Sequence, residues 1–193
     1  YPCFASRAEI QRAAVPGAVD PDGAPLYPGV WRGRPAAEAQ ARISTGEPHA
    51  MRLDMRRAIA AAQRVLGGAP LTFTALDEDL REHRIAAAPD RWGDAVLQRK
   101  EVATSYHLSV VGDDARQGGT HVVRGRDLLA ATDLHRLLQV LLGLPQPLYH
   151  HHRLMTDESG RKLAKRAGDT SLRSLRAAGW RPGDVRRAVG LSP

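Results

Sequence analysis

The chain has 193 residues, a formal net charge of +7 and a sequence pI near 10.3. Charged residues at 25% and hydrophobic ones at 42% are ordinary for a globular protein, and the length allows one sizeable core or one domain with an appendage. No apolar run approaches the roughly 20 residues needed to span a bilayer. The single cysteine, Cys3, rules out an internal disulfide and fits a reducing cytoplasm, and the excess positive charge attracts polyanions, of which nucleic acid is the commonest.

Residues 1–48 are broken by Pro2, Pro16, Pro21, Pro25, Pro28 and Pro35, with Gly17, Gly23, Gly29 and Gly33 among them, a density that prevents long regular elements. Ser6 followed by Ala8, Glu9, Ile10 and Ala13 predicts a short capped helix, and residues 35–43 predict another. The module is loop-rich, of the kind held by a metal or by its neighbours. Residues 54–66 predict a firmer helix: Asp54 caps it, Met55, Ile59, Ala62 and Leu66 fall on one face, and Gly67-Gly68 ends it. Residues 71–76 and 94–99 alternate as short strands, with turns at Pro89-Asp90 and Trp92-Gly93. Residues 102–111 are apolar enough for a buried helix or a buried strand, and periodicity does not decide between them. A turn through Asp113-Asp114 and Gln117-Gly118-Gly119 leads into a short buried strand at 120–123, which runs into Arg124-Gly125-Arg126-Asp127. Residues 132–142 predict a helix with Leu134, Leu137, Leu138 and Leu141 on one face and Gly143 at its end. Residues 148–155 predict a strand, 157–160 a turn, and 171–178 and 182–189 two short helices. Strand, helix and strand in this order predict an α/β crossover unit.

Several residues carry candidate chemistry. Of 28 basic residues only Lys100, Lys162 and Lys165 are lysines, and two of them lie three positions apart in Arg161-Lys162-Leu163-Ala164-Lys165-Arg166. An ammonium is a compact point charge that can follow a moving phosphate, whereas a guanidinium is a rigid fork; the loop reads either that way or as a solvated basic turn. Arg124, directly after a strand, is costly to bury unless an anion meets it. Ligands in open α/β sheets bind at the carboxyl ends of strands, so Arg124 reads either as a grip on a carboxylate or phosphate, or as half of a salt bridge to Asp127 or Asp113. Tyr106, in an apolar segment, needs a partner for its hydroxyl if buried, in a site or on the backbone. Of His150-His151-His152, only His150 and His152 share a face of an extended segment, and with no third ligand nearby no metal site is expected there.

Taken together, Gly93-Asp94 with Val96-Leu97, Arg99-Lys100, Thr104-Ser105-Tyr106-His107-Leu108, Val110-Val111 and Asp113-Asp114, then Thr120-His121-Val122-Val123-Arg124-Gly125-Arg126-Asp127-Leu128 and Lys162-Leu163-Ala164-Lys165, resemble the catalytic core of glutamyl-type class I aminoacyl-tRNA synthetases. The motifs run in order from about residue 92 to residue 166. Within that family the chain is most similar to the truncated glutamyl-Q tRNA(Asp) synthetase branch, which activates glutamate with ATP without needing tRNA and transfers it to the queuosine of tRNA(Asp). The resemblance implies an α/β fold, the second half of a class I Rossmann-like nucleotide-binding domain. It implies a degenerate zinc-module-like insertion at 1–50, catalytic domain with its connecting segment at 51–156, and a KMSKS-like loop with terminal helices at 157–193. It also implies ATP with Mg, glutamate and queuosine-bearing tRNA(Asp) as partners, no membrane, and a cytoplasmic, monomeric enzyme. Tyr106 and Arg124 match the positions that hold glutamate, with Arg124 meeting a carboxylate. Lys162 and Lys165 match the two lysines of KMSKS, the second stabilising the triphosphate as the glutamate carboxylate attacks the α-phosphate. Backbone near Leu154 and Met155 is implied to meet the adenine. Chemistry of this kind is charge stabilisation and positioning rather than acid–base work.

Three departures stand out. Ala164 replaces the serine of the signature, which removes one hydroxyl from the loop. Of the family's zinc ligands Cys3 and Tyr27 match two, while Ala5 and Trp31 stand at the others, so a four-coordinate zinc is not expected and Trp31 is expected to act as an apolar plug. The half bearing the HIGH signature is not within these 193 residues, and the chain is expected to be the later part of a longer enzyme. The competing expectations are a non-catalytic basic RNA-binding module, its arginines tracking phosphates, and the core of a synthetase charging tRNA(Glu). The short stretch after Arg166 argues against the latter.

Overall fold

The structure, a computed structural model, describes residues 1–157, 159–163 and 170–191. It contains two compact units, residues 1–124 with 128–151, and residues 125–127 with 152–193.

In the first unit the proline-broken stretch folds around two short helices. Ser6 starts α1 (Arg7–Ala13) with a reciprocal cap: Glu9 N donates to Ser6 Oγ at 3.2 Å and Ser6 N donates to the Glu9 carboxylate at 2.7 Å, satisfying amides the helix itself leaves open. α2 (Ala36–Ser44) follows Pro35. Cys3, Phe4, Ala5, Tyr27 and Trp31 form the apolar centre of this module. A three-stranded sheet of β1 (Pro2–Cys3), β2 (Ala50–Arg52) and β5 (Val96–Gln98), antiparallel throughout, joins the module to the main core.

That core lies between α3 (Met55–Val65), α4 (Tyr106–Arg116), α5 (Ala131–Leu142) and the 3-10 turn Pro89–Trp92. Asp54 caps α3 by accepting from Arg57 N at 3.1 Å. The face expected from sequence is the packed one: Met55 and Ala62 are buried, and Ile59 and Leu66 lie against them. Leu134 and Leu137 are fully enclosed, each worth about 1.5–3 kcal/mol relative to exposure. Gly143, at φ +64, closes α5 in the left-handed region that suits glycine.

Residues 102–111, undecided by periodicity, enter α4, which Ser105 caps by accepting from Leu108 N at 3.3 Å. Asp113 and Asp114 are not in a turn as the sequence reading has it. They belong to the last turn of α4, where their carbonyls accept from Gln117 N and Gly119 N at 2.9 Å each, so the chain turns only after Arg116.

A second sheet runs in the order β4 (Glu82–Ala86), β3 (Thr72–Leu76), β7 (Leu148–His152), β6 (His121–Gly125). β3 pairs antiparallel with β4 and parallel with β7. The sequence shows no sign of β4, because an edge strand with Glu82, His83 and Arg84 exposed carries no burial pattern; its backbone pairing to β3 defines it. β6 is likewise not the buried strand expected. It forms the other edge of the sheet, and of its residues only Arg124 is buried. β6, α5 and β7 follow one another along the chain, and β6 and β7 are neighbours in the sheet.

In the second unit Asp157 organises a turn, its Oδ1 accepting from Ser159 N at 3.0 Å and Arg161 N at 2.9 Å. α6 (Leu172–Ala177) is capped by Ser171, and α7 (Pro182–Ala188) opens on a proline with Asp184 accepting from Arg181 N at 2.7 Å. The Arg153 guanidinium donates to the Val189 carbonyl just past α7. Among the described residues no helix is long and apolar enough to cross a membrane.

Candidate active site

Side-chain alternation on two strands and helical spacing on α5 bring five groups to one place in the first unit. β6 turns Arg124 inward while its neighbours face out. β7 turns Tyr149 and His151 inward, and Thr132 and His135, three apart on α5, share a helix face. The result is a cage around the Arg124 guanidinium. Nε donates to His151 Nε2 at 3.2 Å, Nη1 to His135 Nδ1 at 3.1 Å, and Nη2 to Thr132 Oγ1 at 2.7 Å. The guanidinium carbon lies 5.3 Å from the centre of the Tyr149 ring, a cation–π distance, and Gln139 holds the Tyr149 hydroxyl at 2.7 Å.

Arg124 is 9% exposed, and among the described residues it forms no ion pair. Neither acid weighed from the sequence serves it: Asp127 is bound to Lys162, and Asp113 makes no bond to it. The three groups that bond the guanidinium are neutral acceptors and do not offset its charge; the Asp114 carboxyl, near the end of α4, is an acid that feels it. Burial, and then the neighbouring Arg124, push His135 down to about 2, while burial foremost lowers His107, so both rings are neutral at physiological pH. His135 Nε2 is 3.1 Å from His107 Nδ1, and the His107 ring meets Trp92 edge-on at 5.0 Å.

Tyr106 opens α4 beside this cluster. Its ring is 5.9 Å from that of His135 and 5.5 Å from that of His107. It is 46% exposed, so it is neither the buried tyrosine the apolar segment suggested nor one bonded to the backbone, and its hydroxyl makes no hydrogen bond with the described residues. His135, His151 and Thr132 were missed in the sequence. The only available signal was alternation: the reasoning that put His150 and His152 on one face of β7 puts Tyr149 and His151 on the other, the buried one. His150 Nδ1 lies by the Leu76 carbonyl at 3.2 Å and His152 Nδ1 by the Arg153 carbonyl at 2.8 Å.

In the second unit the lysine loop is partly described. Lys162 pairs with Thr156 in a β-bridge and its ammonium is bound to the Asp127 carboxylate, which this bond, foremost, holds below its ordinary value. Leu163 N donates to the Met155 carbonyl at 2.9 Å. A Cβ added at Gly125 would meet the Asp127 carboxylate and the Leu154 side chain, so Leu154, Gly125, Asp127 and Lys162 crowd one spot. Lys165 and Ala164 lie outside the described residues.

The zinc-module remnant does not fit a metal. Cys3 Sγ donates to the Tyr27 hydroxyl at 3.3 Å, and that hydroxyl accepts from Trp31 N at 2.8 Å. Ala5 offers no donor atom, Trp31 only an N–H. Burial and then the Cys3 contact raise the Tyr27 phenol, which disfavours the phenolate a metal would bind. Phe4 and Trp31 pack at 4.8 Å, Arg42 lies 4.7 Å over Trp31, and Arg52 lies 3.8 Å over Tyr27. Among the described residues no group of three or more His, Cys, Asp or Glu is placed to hold an ion.

Residues 68–191 match the model of the catalytic domain of class I tRNA synthetases for Glu and Gln, and the chain belongs to that family. It is 45% identical to a glutamyl-Q tRNA(Asp) synthetase of Rhodobacter capsulatus over 99% of the chain and 66% of that relative. It is 35% identical to the protein of the same name from Symbiobacterium thermophilum, over 96% of the chain and 53% of the relative. The chain thus spans between about half and two thirds of the length of these curated relatives. A crystal structure of glutamate-tRNA synthetase from Elizabethkingia anophelis superposes with a TM-score of 0.59 at 22% identity, covering 88% of this chain and 33% of that one, a likeness of fold.

Proposed function

We propose that the chain carries part of the catalytic machinery of an enzyme that activates glutamate with ATP and transfers it to the queuosine of tRNA(Asp). The observation that carries the reading is Arg124: a buried guanidinium with neutral acceptors on three sides and, among the described residues, no carboxylate bonded to it. Such a group is built to receive an anion, and glutamate brings two. In the activation step a glutamate carboxylate oxygen bonds to the α-phosphorus, the α–β anhydride breaks and pyrophosphate leaves; in the second step an acceptor group on queuosine takes the glutamyl carbonyl and AMP leaves. Arg124 and Tyr106 hold glutamate. Lys162 and Lys165 offset charge on the phosphates, with Mg when bound sharing that work, and backbone at Leu154 and Met155 faces the adenine. The relatives' names supply the queuosine acceptor. A cytoplasmic, monomeric enzyme divided at residues 1–50, 51–156 and 157–193 completes the reading.

The test is glutamate-dependent exchange of pyrophosphate into ATP by the full-length enzyme, with and without tRNA. Exchange is expected without tRNA, and Lys165→Ala is expected to lower its rate by about 100- to 1000-fold, the usual cost of losing one charge-stabilising group. Absence of exchange under every condition would overturn the reading in favour of a basic RNA-binding module.

The module at residues 1–50 is metal-free on the same reading. The purified enzyme is expected to contain no stoichiometric zinc and to melt at the same temperature with and without chelator. One equivalent of zinc per chain would refute this.

A further inference from the structure

A guanidinium only donates hydrogen bonds, and that fact sets the polarity of everything around Arg124. His135 Nδ1, 3.1 Å from Nη1, must offer a lone pair. The neutral ring therefore carries its proton on Nε2, which points at His107 Nδ1, 3.1 Å away. His107 accepts there and carries its own proton on Nε2. The order Arg124 to His135 to His107 is thus fixed by the cation at its head. At its far end, His107 packs against Trp92, whose Nε1 donates to the Ala130 carbonyl at 3.2 Å. Of the five N–H groups on Arg124 three are committed, to His151, His135 and Thr132, which among the described residues leaves one on each terminal nitrogen.

We infer that His135 is a positioning residue for Arg124: its Nδ1 lone pair fixes which guanidinium N–H groups stay free for a substrate carboxylate, and it does so without neutralising the charge. This inference rests on the proposed glutamate activation. The choice of an imidazole is informative. A carboxylate at position 135 would hold Arg124 just as firmly, but it would cancel the charge that glutamate must meet. An aliphatic residue would leave the charge intact and the guanidinium free to swing. His135 is 1% exposed, so solvent does not stand in for it. The charged or titratable groups that face it are Arg124 from β6, Tyr106 and His107 from α4, and His151 from β7.

Three variants of the full-length enzyme separate orientation from charge. His135→Leu removes the acceptor; His135→Asn restores an oxygen near the place of Nδ1; His135→Asp has the same shape as Asn and adds a negative charge. Because a hydrogen bond to a charged group is worth roughly a 10- to 100-fold change, His135→Leu is expected to raise the glutamate KM by at least about 10-fold while leaving the ATP KM within about 2-fold. His135→Asn should recover most of that loss, and His135→Asp should be as poor as Leu or worse. Nitrogen-15 NMR of the wild-type ring should show the neutral tautomer protonated at Nε2. An unchanged glutamate KM in His135→Leu, equal behaviour of Asn and Asp, or a proton on Nδ1 would each overturn the role of His135 alone. A wild-type enzyme with no glutamate-dependent exchange would instead overturn the proposed function, and His135's role with it.

Discussion

Arg124→Leu is expected to lower kcat/KM for glutamate by about 1000-fold or more in pyrophosphate exchange, at a nearly unchanged ATP KM. Truncating one side of a buried, hydrogen-bonded charge pair costs about 2–5 kcal/mol, and Arg124 is offered to the substrate by two N–H groups at once. Stability should respond far less. Three hydrogen bonds to His151, His135 and Thr132 are lost, but so is the cost of keeping out of water a charge that, among the described residues, has no ion-pair partner. A melting temperature within a few degrees of wild type alongside the lost activity marks Arg124 as a ligand-binding group. A collapse in stability with parallel losses for both substrates would mark it as structural. Arg124→Lys should fall between, since an ammonium keeps the charge but not the planar fork that reaches three acceptors and a carboxylate together.

What made Arg124 legible in the sequence was its place directly after a strand; what made its surroundings illegible was distance along the chain. Its partners come 8, 11 and 27 residues later, from a helix and from another strand, and sequence reasoning weighed only acids close at hand. Asp127, one of those acids, is instead joined to Lys162, 35 residues on. Elements announced by local chemistry were readable: Ser6 and Asp54 as caps, the leucine face of α5 and Gly143 at its end. Elements set by pairing were not. β4 has no burial pattern because Ile85 alone of its five residues packs against the core, and α4 needed its Ser105 cap and its packing to settle what an apolar run left open. Tyr106 was legible as a hydroxyl in an apolar segment, and the family resemblance implied its glutamate role; the structure sets it beside His135, at the rim of the cage.

Asp94 is the residue whose loss should cost the fold most. It is 1% exposed, and one carboxylate serves three elements: Oδ2 accepts from the Tyr1 hydroxyl and from Arg32 Nε at 2.6 Å, while Oδ1 accepts from the Met55 amide at 3.0 Å, at the start of α3. Its carbonyl also takes Arg52 Nη1 at 2.8 Å. The chain between residues 1 and 52 is therefore fastened to the main core through this group. Asp94→Ala leaves Arg32 and the first turn of α3 unpaired; Arg32 is itself 26% exposed, so the cost falls near the low end of the roughly 3–5 kcal/mol for breaking a buried pair from one side. For a chain of this size that corresponds to a fall in melting temperature of about 10 °C. Asp94→Asn should recover part of it, since its oxygen can still meet the Met55 amide but its NH2 cannot accept from Arg32. The effect also has a sign in pH. Burial alone would raise the Asp94 carboxyl, but Arg32, Tyr1 and the Met55 amide outweigh it and hold it below the ordinary value of 3.8. A carboxyl depressed in the folded state contributes its stability above the unfolded value and loses it as pH falls through the folded one. The gap in stability between wild type and Asp94→Ala should thus be full near neutrality and narrow in acid below about pH 4. A gap that is constant across that range, or absent at pH 7, would show that the N-terminal module is held by its sheet and apolar centre alone.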